Sequence, residues 1–252
     1  MKIHVLGCGP AGLLIAHQAA MRDLEVVIHS IKIPSDIKGA QFIHEPVSGI
    51  TSEDPEMSIL FDKWGHKKYY AEKVYGDQEA PCSWDDFEGE WPAWSMINVY
   101  AELWSIYERS IVDTEVRAPY IQDLIDSGDM VFSTITPLGY CLKPQDHSFE
   151  WQQVWINDSC SIPSVEKDQN VIVYNGSLSE SWYRSSMIGG YGSTEWGQKP
   201  SESAKLAKKP LSTDCDCFID HGLVRLGRFG EFRKAILVNH AYNKAGEILD
   251  AV

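Results

Sequence analysis

Lys2-Ile-His-Val-Leu6, Gly7-Cys-Gly-Pro-Ala-Gly12 and the run from Leu13 to Met21 stand in a row at the start of the chain. A short apolar segment of strand type ends in a glycine turn, and an apolar segment of helical character follows at once. The three glycines have separate tasks in such a turn. Gly7 permits the tight bend, Gly9 lets a pyrophosphate approach the backbone, and Gly12 lets the helix pack closely on the strand. The helix start, with Pro10 and Ala11, presents N–H groups and the positive end of the helix dipole to phosphate. Glycine triplets also occur in purely structural turns. Here a second strand, Glu25 to His29, follows as in a strand–helix–strand unit, and the context favours a dinucleotide cradle.

In these units an acidic residue about 20 positions beyond the glycines binds the adenosine ribose. This chain reads His29-Ser30-Ile31-Lys32 there, without Asp or Glu. Ser30 with Lys32 suits a ribose 2′-phosphate and so NADP, whereas Ser30 alone suits the ribose hydroxyl of FAD. This segment leaves both open.

Three further segments bear on that choice. They are Ser35-Asp-Ile-Lys-Gly-Ala-Gln-Phe-Ile-His44, Asp129-Met-Val-Phe-Ser-Thr-Ile-Thr-Pro-Leu-Gly139 and Val224-Arg-Leu-Gly-Arg-Phe-Gly-Glu-Phe232. Together with the glycine turn they resemble the glutathione-reductase-like flavoproteins, particularly the branch with amine oxidases and UDP-galactopyranose mutase. The first and third also look like small flavin-type oxidoreductases of some bacterial viruses. The resemblance implies FAD, with Gly39, Ala40 and Gln41 in a loop over the isoalloxazine and His44 aimed toward the ring. It implies that the strand carrying Thr134 returns to the cofactor domain. It further implies that Gly227, Arg228, Phe229 and Gly230, followed by a helix from Lys234 to Leu249, lie beside the flavin. The chain departs from the branch in lacking the acid on its second strand, and no run matches the mutase's nucleotide-sugar arginines.

Composition narrows the classes. The 252 residues are 44% hydrophobic and 23% charged, ordinary for a globular chain and inconsistent with wholesale disorder. Twenty-two basic against 36 acidic residues give a net charge of −14, which repels a phosphate backbone and disfavours nucleic-acid binding. No apolar run reaches the roughly 20 residues of a membrane span. The N-terminus reads as a strand rather than a signal core, so a cytoplasmic protein without membrane partners is expected. The six cysteines are dispersed and read as reduced thiols. Trp84, Trp91 and Trp94 read as core filling before a stacking wall.

Ile97, Tyr100, Leu103, Trp104, Tyr107 and Ile111 recur at helical spacing, and a second helix opens near Pro119 and stops at Gly128. Between Gly65 and Trp94 no helical period is evident, and a lid or hairpin is expected. Residues 149 to 196 alternate like strands, with hairpin signals at Asn157-Asp158 and Asn175-Gly176. Within Trp182 to Glu195, Arg184 suits either an anionic substrate group, as the mutase resemblance implies, or a salt bridge; Glu195 reads as structural. Cys215, Cys217 and His221 supply three metal-ligating groups without a fourth, and the two thiols equally suit a redox pair, so no metal is expected. His66-Lys67-Lys68 reads as a solvated turn. Hydrolase and kinase signatures are missing from the sequence.

The expected fold is α/β, a Rossmann-like FAD/NAD(P)-binding domain with an inserted mixed sheet-and-helix substrate domain. The cofactor domain is expected over 1–50, 125–145 and 215–252, and the cap over 51–124 and 146–214. The expected function is that of an FAD-dependent oxidoreductase or mutase-like flavoenzyme acting on a small, anionic or nucleotide-linked substrate. An NADP-dependent reductase and a non-catalytic nucleotide-binding module are the alternatives.

Overall fold

The computed structural model describes residues 1–31, 41–82, 84–85, 88–234 and 236–252. In chain order the elements begin with β1 (Lys2–Leu6), α1 (Pro10–Ala20), β2 (Glu25–Ser30), β3 (Phe42–Ile43), β4 (Met57–Gly65), α2 (Lys67–Tyr75) and β5 (Gly89–Ser95). Next come α3 (Met96–Tyr107), β6 (Ile111–Asp113), α4 (Ala118–Asp126), β7 (Met130–Ser133), β8 (Phe149–Asn157), β9 (Val171–Gly176) and β10 (Trp182–Ile188). The chain ends with β11 (Tyr191–Trp196), β12 (Lys205–Thr213), β13 (Leu223–Arg225), α5 (Gly227–Gly230) and α6 (Val238–Leu249).

Two compact units result, one from 1–43, 96–151 and 210–252, the other from 44–95 and 152–209. The first therefore includes α3, β6 and α4, which the sequence reading assigns to the cap. Its sheet has the order β13-β7-β1-β2-β6, and each of these pairings is parallel. A central parallel strand must be apolar on both faces, which is why Ile3, Val5 and Leu6 are fully buried. The layer of α1 packs on β1 and β2 and against α3 and α6. On the other side Leu6 and Val131 meet Ile121 of α4, the helix that opens with Pro119 and ends before Gly128 at φ +80°. Helix α3 stops at Tyr107, so Ile111 leaves the expected stripe and pairs with Ile28 in the sheet.

A polar chain crosses this sheet. Asp129 Oδ2 lies 3.2 Å from His4 Nε2, His4 Nδ1 lies 3.0 Å from His29 Nε2, and His29 Nδ1 lies 3.0 Å from the Tyr120 hydroxyl. Burial, and then the neighbouring His4, push the His29 pKa from 6.5 down to about 4. The unfolded chain therefore takes up this proton first as pH falls, and stability is lost between about 6.5 and about 4. The expected loss is of order 2 kcal/mol, below the full shift because the ring is not wholly cut off from solvent. Urea midpoints measured across that window should fall for the wild type and fall less for His29→Gln; equal slopes would exclude His29 as the carrier.

In the second unit the sheet runs β8-β11-β10-β9-β4-β5. Strands β9 and β10 form the hairpin signalled by Asn175-Gly176. At Asn157-Asp158 no hairpin forms, because β8 pairs with β11 instead of the strand that follows it. The hairpin between β10 and β11 turns on Gly189 and Gly190, both at positive φ, as a two-residue turn of matching twist requires. Helix α2 occupies part of the stretch expected to be a lid or hairpin. Only Tyr70 and Ala71 of it are buried, too few apolar positions to show a period, and Gly76 closes it in the left-handed conformation. Trp84 and Trp94 are buried and fill the unit's core, while Trp91 is half-buried. Among the described residues no helix is long and apolar enough to cross a membrane.

Candidate functional site

Strand order reverses at β1, whose neighbours β2 and β7 continue the sheet in opposite directions. In open parallel sheets the crevice beyond the strand ends at such a point is where ligands bind. The residues there come from four separated segments of the first unit.

The turn after β1 is held on both sides. Gly7 N–H donates to His29 O at 2.8 Å, and Gly7 itself sits at φ +105°. A Cβ on Gly12 would stand 1.9 Å from Gly7 O, so only glycine lets α1 seat on the turn. Gly9 differs from both. As the N-cap of α1 it has φ −70°, open to any residue, and a Cβ there would meet nothing within 4 Å among the described residues. Gly9 brings no capping side chain, Pro10 takes an early position where its missing N–H costs nothing, and the first turn carries no acidic residue. Among the described residues the Gly9 position beside the positive end of the α1 dipole is therefore open, an arrangement that accommodates a pyrophosphate.

The other segments close around this turn. Thr134 N–H and Oγ1 both donate to Leu6 O at 2.9 Å, clasping the ends of β1 and β7, so the expected cofactor residue Thr134 is also a structural one. Leu226 N–H donates to Ser133 O at 3.0 Å. A Cβ on Gly230 would fall 2.1 Å from Ser133 O, and one on Gly227 would fall 3.0 Å from Ala11 Cβ. The segment Gly227-Arg228-Phe229-Gly230 therefore lies against both the β7 end and the start of α1. It forms the short helix α5, and the longer helix starts at Val238 instead of Lys234. Phe229 is 45% exposed, an unusual position for an aromatic ring in a packed turn.

Ser30 ends β2, where its Oγ accepts from Cys8 Sγ at 3.1 Å. Burial raises the Cys8 pKa, so the thiol stays protonated and its role is to set the Ser30 hydroxyl beside the turn. Tyr100 donates its hydroxyl to Cys8 O at 3.1 Å. Sequence reasoning placed Tyr100 only on the core face of a helix; its hydroxyl was the overlooked signal, since a buried tyrosine needs a polar partner. Gln41 O accepts from Met96 N–H at 3.1 Å and ties its segment to the start of α3. Lys32, Gly39 and Ala40 lie outside the described residues.

His44 and Arg184 belong to the second unit. The His44 ring lies 5.5 Å from Trp91, edge-on, and 6.2 Å from Phe61, and burial lowers its pKa, so the imidazole is neutral near pH 7. Arg184, on β10, lies 3.5 Å from Glu195 Oε1, and Lys209 Nζ contacts both Glu195 oxygens at 2.8 and 2.7 Å. Burial alone would raise the Glu195 pKa, but Lys209 and Arg184 outweigh it and hold the carboxylate at about 2. Of the two readings of Arg184, this geometry supplies the salt bridge.

No protein-family model matches the sequence, and no curated protein matches it. Solved structures do resemble the fold. Reduced UDP-galactopyranose mutase superposes with a TM-score of 0.58 at 10% identity, over 99% of this chain and 93% of the other. A tetrameric 2-methyl-3-hydroxypyridine-5-carboxylic acid oxygenase gives 0.54 at 10% identity, over 100% and 83%. A flavin-dependent brominase gives 0.52 at 11%, over 99% and 78%. The fold is thus the Rossmann-like α/β fold found in flavoproteins, with a second mixed-sheet unit inserted into it.

Proposed function

We propose that this protein is an FAD-dependent enzyme, with oxidoreductase or mutase-like chemistry on a small anionic or nucleotide-linked substrate. The space at Gly9, open among the described residues, at the start of an uncapped α1 and at the reversal of strand order, carries the reading. The likeness to flavoenzyme folds supports FAD over NADP.

In this assignment the first turn of α1 holds the pyrophosphate through backbone N–H groups and the helix dipole. Ser30, in place of the missing acid, hydrogen-bonds the adenosine ribose. Gly227 to Gly230 form a strap at the strand ends, where Arg228 contributes positive charge and Phe229 an exposed ring. FAD, when bound, supplies the electron-transfer chemistry, and the chain supplies binding, orientation and electrostatics. His44, neutral at its half-buried position, is the proposed catalytic side chain of the second unit, able to accept a proton without first losing one.

The test is the ligand content of the purified chain. A yellow protein whose heat-released ligand is FAD, and whose melting temperature rises with FAD but not NADP, is the expected result, because only a ligand of the native state stabilises by mass action. Stabilisation by NADP alone would hand the assignment to the reductase reading. Tight nucleotide binding without any substrate-dependent change in the flavin spectrum would favour the non-catalytic module.

A further inference from the structure

Cys141, His147, Cys215 and Cys217 meet in the first unit, with all four ligand atoms within 4.8 Å of one another. Cys141 Sγ lies 3.6 Å from Cys215 Sγ, 3.9 Å from Cys217 Sγ and 3.1 Å from His147 Nδ1, and Cys217 Sγ lies 3.9 Å from His147 Nδ1. Around a tetrahedral zinc ion with ordinary bond lengths, neighbouring sulfurs stand roughly 3.8 Å apart and sulfur and nitrogen roughly 3.6 Å. The observed separations straddle these values. They are nearly twice the roughly 2.05 Å of a disulfide. One disulfide would also leave a third thiol and the imidazole without a purpose in the same cluster.

The surroundings are those of a thiolate site. Arg225 donates to Cys215 O at 2.6 Å and to Cys217 O at 2.7 Å, with Nη2 3.7 Å from Cys215 Sγ. The backbone N–H groups of Leu142 and Lys143 point to Cys217 Sγ, and that of Lys143 also to Cys141. Three thiolates around a divalent ion leave one negative charge, which Arg225 offsets, while the N–H groups orient the sulfurs. The two ligand loops are tied together independently of any ion. Ser148 N–H donates to Asp214 Oδ1 at 2.7 Å and Thr213 Oγ1 donates to Ser148 O at 2.7 Å, so the ligands are held in place by the fold.

We propose that these four residues form a structural zinc site of the Cys3His type. Sulfur-rich tetrahedral sets select zinc, and four protein ligands leave no open position for catalysis. Binding forms three Zn–S bonds and one Zn–N bond, displaces the ion's water ligands and releases three thiol protons to solvent. The ion staples the loop between β7 and β8 to the loop before β13, across 76 residues of sequence from Cys141 to Cys217. His221 is not a ligand. It is exposed and is not among the residues whose ligand atoms meet, so the imidazole comes from the distant His147.

Elemental analysis of the full chain, purified from zinc-supplemented medium without chelators, should give roughly one zinc per chain. Cys217→Ser and Cys141→Ser should each hold less than roughly a tenth of that, and His221→Ala should keep it. Because a serine variant can fail to fold, wild-type protein is also produced with cobalt in place of zinc. Intense visible ligand-field bands with thiolate-to-cobalt charge transfer are expected, as a tetrahedral sulfur-rich site gives. Wild type without zinc above background, a weak octahedral cobalt spectrum, a disulfide among Cys141, Cys215 and Cys217 in freshly purified protein, or zinc lost from His221→Ala and kept by Cys217→Ser would each overturn the site.

Discussion

Gly9→Leu should yield a folded protein without flavin. The backbone at Gly9 already has angles that leucine adopts freely, and among the described residues no atom lies within 4 Å of the added Cβ, so the cost in stability is within about 0.5 kcal/mol. The same side chain fills the space in front of the α1 N-terminus. Excluding the pyrophosphate there should lower FAD affinity more than about 100-fold, or roughly 3 kcal/mol. Flavin absorbance per chain and the urea midpoint of ligand-free protein, measured on the same preparation, separate the two effects. A variant that keeps its flavin removes the placement of the pyrophosphate at Gly9; a variant that loses both flavin and stability gives Gly9 a structural role instead.

Gly12→Ala, three residues on, should do the opposite. Alanine favours a helix over glycine by about 1 kcal/mol. Its Cβ would however stand 1.9 Å from Gly7 O and 2.9 Å from Gly7 C, and backbone atoms cannot swing aside as a flexible side chain can. Turn and helix must part by more than an ångström, which undoes the seat of α1 on the central strand. A net loss of about 3 kcal/mol or more is expected, so the steric term wins. Calorimetry or urea melts of ligand-free protein check this directly. An unchanged melting temperature would mean that α1 does not seat on the turn as closely as described.

The contrast between these glycines explains how much of the molecule was legible beforehand. Strand, turn and helix over Lys2 to Met21 are local in sequence, and propensity, periodicity and the glycine tasks all agreed there. The second unit was harder for a physical reason. Its strand β8 pairs with β11, 39 residues apart in the pairing of Ile156 with Glu195, and turn signals report only neighbours in sequence. Helix α2 escaped because a helix that buries two residues has almost no periodicity to show. Of the cysteine cluster the sequence shows two of four members for the same reason. Cys215 and Cys217 drew attention as close neighbours, and proximity in sequence suggested His221, whereas Cys141 and His147 lie more than 60 residues upstream. At the candidate site, Gly7, Gly9, Gly12 and Ser30 could be named from sequence, but not that Thr134 spends its hydroxyl on Leu6 O or that Tyr100 touches the turn.

The parallel sheet of the first unit also dictates an order of assembly. Strand β1 leaves the ribosome well before β7, its partner on one side, which follows about 125 residues later, and β13, which covers β7, comes later still with Leu223–Arg225. A nascent chain thus carries an unfinished apolar sheet edge until β7 and β13 have been made, and long-range parallel pairing of this kind is slow and exposed to aggregation. Completion waits on β13 and on the strap after it, which packs on the end of β7. Translation that stops short of β13 therefore produces an open-edged species, a substrate for chaperones and proteases, and not a smaller version of the same protein.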